Sequence, residues 1–320
     1  MSGETLPLFD EPPFNTELTP LGKKLATLAS SDIFIGASSW KYEGWIGQVY
    51  THDRYLFRGR FSQKRFQNEC LAEYAATFPI VCGDFSFYQF PSEQYWQKLF
   101  TSAPPSLKYA FKIPEEITVK MFPSHPRYGP RAGEGNPSFL DALLLRNAFL
   151  DLLQPYRDRI AVLIFEFGSF GKQAYRNAAE FAAELDPFLA ALPRDFRYAV
   201  EVRNQDFLVG DYFSCLHRHG VAHVFNAWTR MPEIAEQMQL PEVYTADFTV
   251  TRALLRKGRP YEEAVAKFSP YKQVMDPNPQ VRQALRDLLV RAKLRHEPSY
   301  IFVNNRLEGN APQTIEAVVE

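Results

Sequence analysis

The chain has 320 residues, of which 46% are hydrophobic and 15% aromatic. This composition is sufficient for a packed core and excludes a disordered or fibrous protein. Lys and Arg number 36 against 37 Asp and Glu, so no global field would recruit nucleic acid or an anionic membrane. The three cysteines, Cys70, Cys82 and Cys215, are too scattered for a disulfide framework. We therefore expect a cytoplasmic protein, and the absence of an apolar run of about 20 residues argues against a membrane partner.

The first residues do not resemble a signal peptide. Acids and prolines occupy residues 1–20, where a signal peptide needs a basic start and an apolar stretch. We expect residues 1–30 to form an irregular surface arm and residues 31–320 to form one domain.

Short apolar runs rich in β-forming residues alternate with amphipathic stretches along the rest of the chain. Such runs are typical of parallel strands that are buried on both faces. The eight predicted strands are Ile33–Ser38, Ile80–Asp84, Lys108–Ile113, Ile160–Phe165, Arg197–Arg203, Val221–Asn226, Val243–Val250 and Tyr300–Asn304. The predicted helices are Asn68–Thr77, Glu93–Phe100, Ser138–Leu153, Gln173–Leu189, Asp211–His219 and Pro279–Arg295.

Eight strands with helices between them predict an α/β fold, a single (β/α)8 TIM barrel, with an open doubly wound sheet as the competitor. The extra length falls in three loops, residues 41–67, 114–137 and 251–278, after the first, third and seventh strands. Because barrel active sites form at the C-terminal ends of the strands, these extended loops indicate where a site would lie.

Strand parity places charged side chains inside the barrel. In the fifth strand Glu201 and Arg203 share the inward face, and Lys112 takes the same place in the third. Buried charges are costly unless they pair or meet a ligand. Two readings stay open: a structural pair of Glu201 with Lys112 or Arg203, or an anion- or sugar-binding pocket in which Glu201 is an acid or base.

Further polar and aromatic residues cluster near strand ends. Asn304 and Asn305 close the eighth strand and are expected either to hold a ligand hydroxyl or phosphate or to brace the following helix. Arg252 and Asp247 are weaker candidates, and if both lie within the seventh strand their parity puts only one inside. The first loop carries Trp40, Tyr42, Trp45, Tyr50 and Tyr55. These rings suit sugars or bases, but a hydrophobic lid is the favoured interpretation.

Two other patterns resemble binding sites, a group of histidines and a run of basic residues. His217 and His219 fall on different faces of a helix, with His223 on the next strand, so we do not predict a metal site there. The basic run Arg54–Arg65 is expected to be a solvated loop, with contact to a phosphate backbone as the alternative.

Several short motifs, in order, resemble the YecE-like family, also called domain of unknown function 72. They are Gly36-Ala37-Ser38-Ser39-Trp40-Lys41-Tyr42 with Trp45, Phe87-Tyr88-Gln89-Phe90-Pro91, Ala199-Val200-Glu201-Val202-Arg203, Arg252, and Asn304-Asn305 with Ala311-Pro312. The resemblance spans roughly residues 33 to 320 and implies a TIM barrel of unsettled activity.

The chain also departs from that family's pattern. Where the family usually has Glu-x-Asn before Ser/Thr-Phe-Tyr, this chain has Cys82-Gly83-Asp84. A family His becomes Val119, and a Gln after the fourth strand becomes Glu166. The resemblance therefore implies a divergent member that either binds without turnover or uses Asp84 and Glu166 in place of the lost groups.

We expect a barrel that binds, and processes by acid–base chemistry, a phosphorylated or polyhydroxylated small molecule at its C-terminal mouth. The catalytic candidates are Glu201 and Asp84. The ligand-binding candidates are Lys112, Arg203, Arg252, Asn304, Asn305, Trp40, Tyr42 and Tyr88. No cofactor is expected.

Two alternatives stay open. The first is a metal-dependent isomerase- or endonuclease-like barrel in which Asp84, Glu166, Glu201 and Asp247 hold a divalent metal. The second is a non-catalytic protein that binds nucleic acid or a small ligand.

Overall fold

The computed structural model describes residues 17–320 and contains a closed barrel of eight parallel strands. In chain order the strands are β1 (Ile33–Ala37), β2 (Ile80–Gly83), β3 (Lys108–Lys112), β4 (Ile160–Glu166), β5 (Tyr198–Glu201), β6 (Ala222–Ala227), β7 (Thr249–Ala253) and β8 (Ser299–Val303). Each strand pairs with the next one, and β8 pairs with β1. The predicted TIM barrel is confirmed.

Helices connect the strands on the outside of the barrel. They are Pro20–Ala29, Gln63–Tyr74, Phe85–Tyr88, Glu93–Thr101, Glu115–Thr118, Ala142–Leu145, Asp151–Leu153, Ala178–Ala190, Gly210–His219, Ile234–Gln237, Tyr261–Phe268, Pro279–Arg295 and Ala311–Val319. A π-helical turn, Arg146–Leu150, joins the sixth of these helices to the seventh. None of the helices in residues 17–320 has the length and apolar character needed to cross a membrane.

Barrel closure depends on a close approach between β1 and β2. β1 pairs with β8 from Ile33↔Ser299 to Ala37↔Val303, and it pairs with β2 at Ala37↔Val81. A Cβ atom at Gly36 would lie 1.9 Å from the carbonyl oxygen of Ile80, so only glycine fits at this position. Packing between β1 and β2 therefore explains why the motif begins with a glycine at position 36.

The buried apolar side chains form two layers, one inside the barrel and one between the strands and the surrounding helices. Ala110 and Ala199 belong to a small inner cluster, whereas Phe111 and Val200 belong to the large cluster under the helices. This arrangement confirms the predicted parity of β3 and β5, with Lys112 on the inner side of its strand.

The structure corrects three local expectations. Pro20–Ala29 is a helix capped by Thr19, whose side chain accepts a hydrogen bond from the Gly22 amide at 3.0 Å. The expected irregular arm is therefore wrong over this span, and residues 1–16 lie outside the described range. β7 begins six residues later than predicted, which puts Asp247 before the strand. The helix predicted from Ser138 begins at Ala142, because the Asp141 side chain caps it by accepting from the Leu144 amide at 2.8 Å.

The first and last long loops meet over the C-terminal end of the barrel. Gln48 Nε2 donates to the Lys272 carbonyl at 2.6 Å, and the Tyr42 and Tyr271 rings lie 5.5 Å apart. Gly44 packs so closely on Pro270 that a Cβ atom would lie 1.9 Å from its carbonyl oxygen. The rim of the barrel mouth is therefore continuous on this side.

Candidate functional site at the barrel mouth

All eight strands bring one polar side chain to the C-terminal mouth of the barrel. Each residue lies at or just after the end of its strand with inward parity. In strand order they are Ser38, Asp84, Lys112, Glu166, Glu201, Asn226, Arg252 and Asn304. The sequence singled out five of them as site candidates, whereas Ser38 and Asn226 were not predicted and Glu166 was considered mainly as a metal ligand.

Two buried glutamates, Glu166 and Glu201, bind Lys112 and Arg252 of this ring and also Arg203, which follows β5. With Asp84 these side chains form a charged network. Glu166 lies 3.0 Å from Lys112 Nζ, 3.0 Å from an Arg203 guanidinium nitrogen and 2.5 Å from Arg252 Nη1. Glu201 accepts from Arg203 through Oε1, with both N···O distances 3.3 Å, and from Arg252 through Oε2. Burial alone would raise the pKa of Glu166, but Arg203, Lys112 and Arg252 hold that pKa well below its ordinary value.

The third carboxylate, Asp84, is the accessible one. Its Oδ1 lies 3.4 Å from Arg252 Nη2 and 3.7 Å from Lys112 Nζ. Within residues 17–320 no hydrogen bond reaches its Oδ2. The Asp84 side chain is 33% exposed, against 9% for Glu166 and 0% for Glu201. The network thus presents one open carboxylate oxygen to the mouth.

Of the two partners considered for Glu201, the structure pairs it with Arg203, as expected from their shared parity. The alternative Glu201–Lys112 pair is not formed, because Glu166 lies nearer to Lys112 on the adjacent strand β4. Arg252, predicted as a weaker candidate, contacts all three carboxylates of the network.

Two aromatic rings, Trp228 and Phe87, line the network, and neither is a site candidate predicted from the sequence. The Arg203 guanidinium lies 3.7 Å from the Trp228 ring centre, and Lys112 Nζ lies 3.9 Å from that of Phe87. Trp228 follows β6 directly, so its position after a strand end was the available signal. Phe87 belongs to the motif Phe87-Tyr88-Gln89-Phe90-Pro91, which does not by itself indicate a contact with Lys112.

The paired asparagines serve largely structural roles. Asn305 Oδ1 accepts from Trp45 Nε1 at 3.1 Å and from the Ala311 amide at 2.8 Å. Asn304 Oδ1 accepts from the Arg306 amide at 3.0 Å. These contacts brace the loop after β8 and the start of the last helix, and of the two asparagines Asn304 lies on the inner side of its strand.

The aromatic candidates of the first two loops are separated. Trp40 is buried and packs edge-on against Phe85, with ring centres 6.2 Å apart. Tyr88 is exposed, with Arg127 over its ring at 5.1 Å. Tyr42 lies at the rim, where burial raises its pKa to about 12 against the opposing charge of Arg306. Asp84 is also among the groups that act on the pKa of Tyr42.

The remaining rings of the first loop form its own core. Trp45, Tyr50 and Tyr55 are fully buried. Trp45 stacks on Tyr50 and on Tyr74, and Tyr50 meets Tyr55 edge to face. This agrees with the interpretation of a packed hydrophobic lid.

The metal-ligand set considered from the sequence is not assembled. Asp247 is exposed and precedes β7, at the end of the barrel opposite the network. Asp84, Glu166 and Glu201 are occupied by cationic side chains. Residues 17–320 contain no group of three or more His, Cys, Asp or Glu side chains that could hold a metal ion.

Comparison with known proteins identifies the family of this chain. A family model described as "Protein of unknown function DUF72" matches residues 34–320. This chain belongs to the DUF72 family. The YecE-like resemblance is thereby confirmed, and every member of the polar ring lies inside the matched range. A search of curated proteins finds no match.

Solved DUF72 proteins have the same fold at low sequence identity. One is a DUF72 family protein from Thermotoga maritima, with a TM-score of 0.56 and 18% identity, covering 88% of this chain and 96% of that chain. Another is a DUF72 family protein from Enterococcus faecalis, with a TM-score of 0.56 and 16% identity, covering 89% of this chain and 94% of that chain. Identities this low support the shared barrel and nothing further about activity.

Proposed function

We propose that this DUF72 protein binds a polyhydroxylated small molecule at the barrel mouth and processes it by acid–base chemistry, with Asp84 as the group that meets a ligand hydroxyl. The observation that carries the proposal is the open Oδ2 of Asp84 beside two buried cations. Its other oxygen lies 3.4 Å from Arg252 and 3.7 Å from Lys112. Such a carboxylate is held by two cations through one oxygen, and its other oxygen can accept a hydrogen bond.

The charge balance of the network favours a ligand rich in hydroxyl groups. Three carboxylates offset the three cations Lys112, Arg203 and Arg252, so the site has no excess charge for a ligand to neutralise. Hydroxyl groups both donate and accept, and they exchange hydrogen bonds with such an array without burying new charge. The Trp228 and Phe87 rings provide apolar walls of the kind that sugar rings contact.

The chemistry that this arrangement supports is proton transfer from a ligand hydroxyl group. Asp84 would accept the proton, and the Lys112 ammonium would stabilise the oxyanion that develops. Glu201 is fully buried, with both oxygens bound by arginines. We therefore propose that Glu201 acts as a positioning residue that orients Arg203 and Arg252.

We also propose a cytoplasmic location for the protein. Cys70, Cys82 and Cys215 are buried free thiols, as is usual for proteins of reducing compartments.

The test is thermal unfolding with a panel of neutral sugars and polyols, including ribose, xylose and myo-inositol. A ligand at a hundredfold excess over its Kd stabilises the folded state by about 2.7 kcal/mol, which is a readily measured shift in Tm. The shift should shrink in Asp84→Asn and persist in Asp211→Asn, which removes an exposed carboxylate from an outer helix. The proposal is overturned if no member of the panel shifts Tm, or if the shift is the same in Asp84→Asn.

A further inference from the structure

Arg306, in the loop after β8, differs from the arginines of the network. Its side chain is half-buried, yet within residues 17–320 no carboxylate lies within 4 Å of its guanidinium. Its Nε is buried and has no hydrogen-bond partner among those residues. Burying a charge without a counter-ion is costly, so an anion bound at this guanidinium would be favourable.

The surroundings of Arg306 hold it in place without neutralising it. Its backbone amide donates to Asn304 Oδ1 at 3.0 Å, and its guanidinium lies 4.6 Å from the Tyr261 ring centre. Burial raises the pKa of Tyr271, and the nearby Arg306 charge opposes that shift. Tyr42 packs on Tyr271 with ring centres 5.5 Å apart. The phenol rings of Tyr42, Tyr261 and Tyr271 thus lie near a guanidinium that has no carboxylate partner among residues 17–320.

Arg306 lies on the same rim as the charged network. Asn304, a member of the polar ring, accepts a hydrogen bond from the Arg306 amide at 3.0 Å. Both Arg306 and Asp84 also act on the pKa of Tyr42, which burial raises to about 12. Tyr271 also packs against the small cluster of Leu254, Leu255, Ala264 and Phe268, and so does Trp228, the ring that stacks on Arg203. Asp84 and Arg306 therefore both lie at the C-terminal mouth of the barrel, where one ligand would meet both side chains.

We propose that Arg306, with the hydroxyl groups of Tyr42 and Tyr271, binds a phosphate group, so that the ligand is a phosphorylated polyol. This inference rests on the proposed function and adds the anionic group to it. The guanidinium fork matches phosphate oxygens, and phenol hydroxyls donate to the oxygens that remain. Loops after the seventh and eighth strands hold phosphate in many barrels of this fold, which supports the proposal by analogy.

The test uses inorganic phosphate as the probe, titrated calorimetrically into the wild type, Arg306→Gln and Arg60→Gln. Arg60 is an exposed arginine of the first loop, and it controls for loss of one positive charge. Because charge-assisted hydrogen bonds are lost, the phosphate Kd should rise at least about tenfold in Arg306→Gln and stay within about twofold in Arg60→Gln. Arg306→Lys, which keeps the charge without the fork, should give an intermediate Kd.

The proposal fails if Arg306→Gln binds phosphate as tightly as the wild type, or if the wild type shows no binding at phosphate concentrations on the order of 10 mM. The two proposals fail separately. Phosphate binding that depends on Arg306, with no Asp84-dependent sugar binding, overturns only the proposed function. Sugar binding that depends on Asp84, with phosphate binding insensitive to Arg306, overturns only the phosphate site.

Discussion

Arg252 and Glu166 meet inside the barrel, with Arg252 Nη1 2.5 Å from Glu166 Oε2. Their strands, β7 and β4, are not neighbours, because β5 and β6 lie between them. The same guanidinium nitrogen also donates to Glu201. Arg252 therefore braces the mouth across its width, which the backbone hydrogen bonds between adjacent strands do not do.

Replacing Arg252 should destabilise the protein strongly. In Arg252→Gln the buried Glu166 and Glu201 lose a shared counter-ion, and breaking a buried ion pair typically costs about 3–5 kcal/mol. The measurement is urea unfolding at neutral pH. Arg218→Gln, which breaks a pair with Asp186 where the arginine is 60% exposed, should cost less than about 1 kcal/mol. Equal midpoints for the two variants would contradict the bracing role.

Stability should fall in acid partly because of Glu166. Its pKa is held well below its ordinary value by Arg203, Lys112 and Arg252, in spite of burial. A carboxyl with a lowered folded-state pKa stabilises fully above its unfolded pKa of about 4.3, and this contribution is lost as pH falls towards the folded value.

The free energy of unfolding should therefore decline below about pH 4.3, and Glu166→Gln should decline less steeply there. Urea unfolding over a series of pH values measures both slopes. Glu69→Gln, at a surface pair where the carboxylate is 39% exposed, serves as the control. An acid slope in Glu166→Gln as steep as in the wild type would contradict the assignment.

Substitutions at Cys82 and Glu166, two positions where this chain departs from the family pattern, should have coupled effects on the free energy of unfolding. This chain has Cys82 and Glu166 where the family usually has Glu and Gln, and burial beside the network raises the pKa of the Cys82 thiol to about 12. Cys82→Glu adds a fourth carboxylate, and Glu166→Gln removes one, so each single variant should be less stable than the wild type.

The double variant should be more stable than the sum of the single effects, by roughly 0.5–3 kcal/mol, because the number of carboxylates is restored. A double-mutant cycle measured by urea unfolding gives this coupling. Additive effects would show that the two positions are independent. Cys82→Ser with Glu166→Gln, which keeps position 82 uncharged, should show no such coupling.

The sequence predicted the barrel and the inward parity of Lys112, Glu201 and Arg203, because both depend on local alternation of side chains. It did not predict that Lys112 pairs with Glu166. That choice depends on the stagger of neighbouring strands, which places the ends of β3 and β4 together. It also gave Arg252 too little weight, since β7 was placed six residues too early.

Residues outside the strands were the hardest to predict. Trp228 and Arg306 each follow a strand end without any repeating pattern, and their importance comes from contacts with distant loops. The helix Pro20–Ala29 was hidden by the acids and prolines before it, although Thr19 followed by Pro20 is a favourable helix start.

The two halves of the barrel each supply three charged side chains to the network, but their net charges are opposite. Strands β1 to β4 supply Asp84, Lys112 and Glu166, with a net charge of −1, whereas β5 to β8 supply Glu201, Arg203 and Arg252, with a net charge of +1. Each half alone would carry an uncompensated charge at its inner face. The two halves are thus electrostatic complements. If β1 to β4 were replaced by the corresponding half of a relative with Gln at the end of β4, the positive charge of β5 to β8 would not be fully compensated.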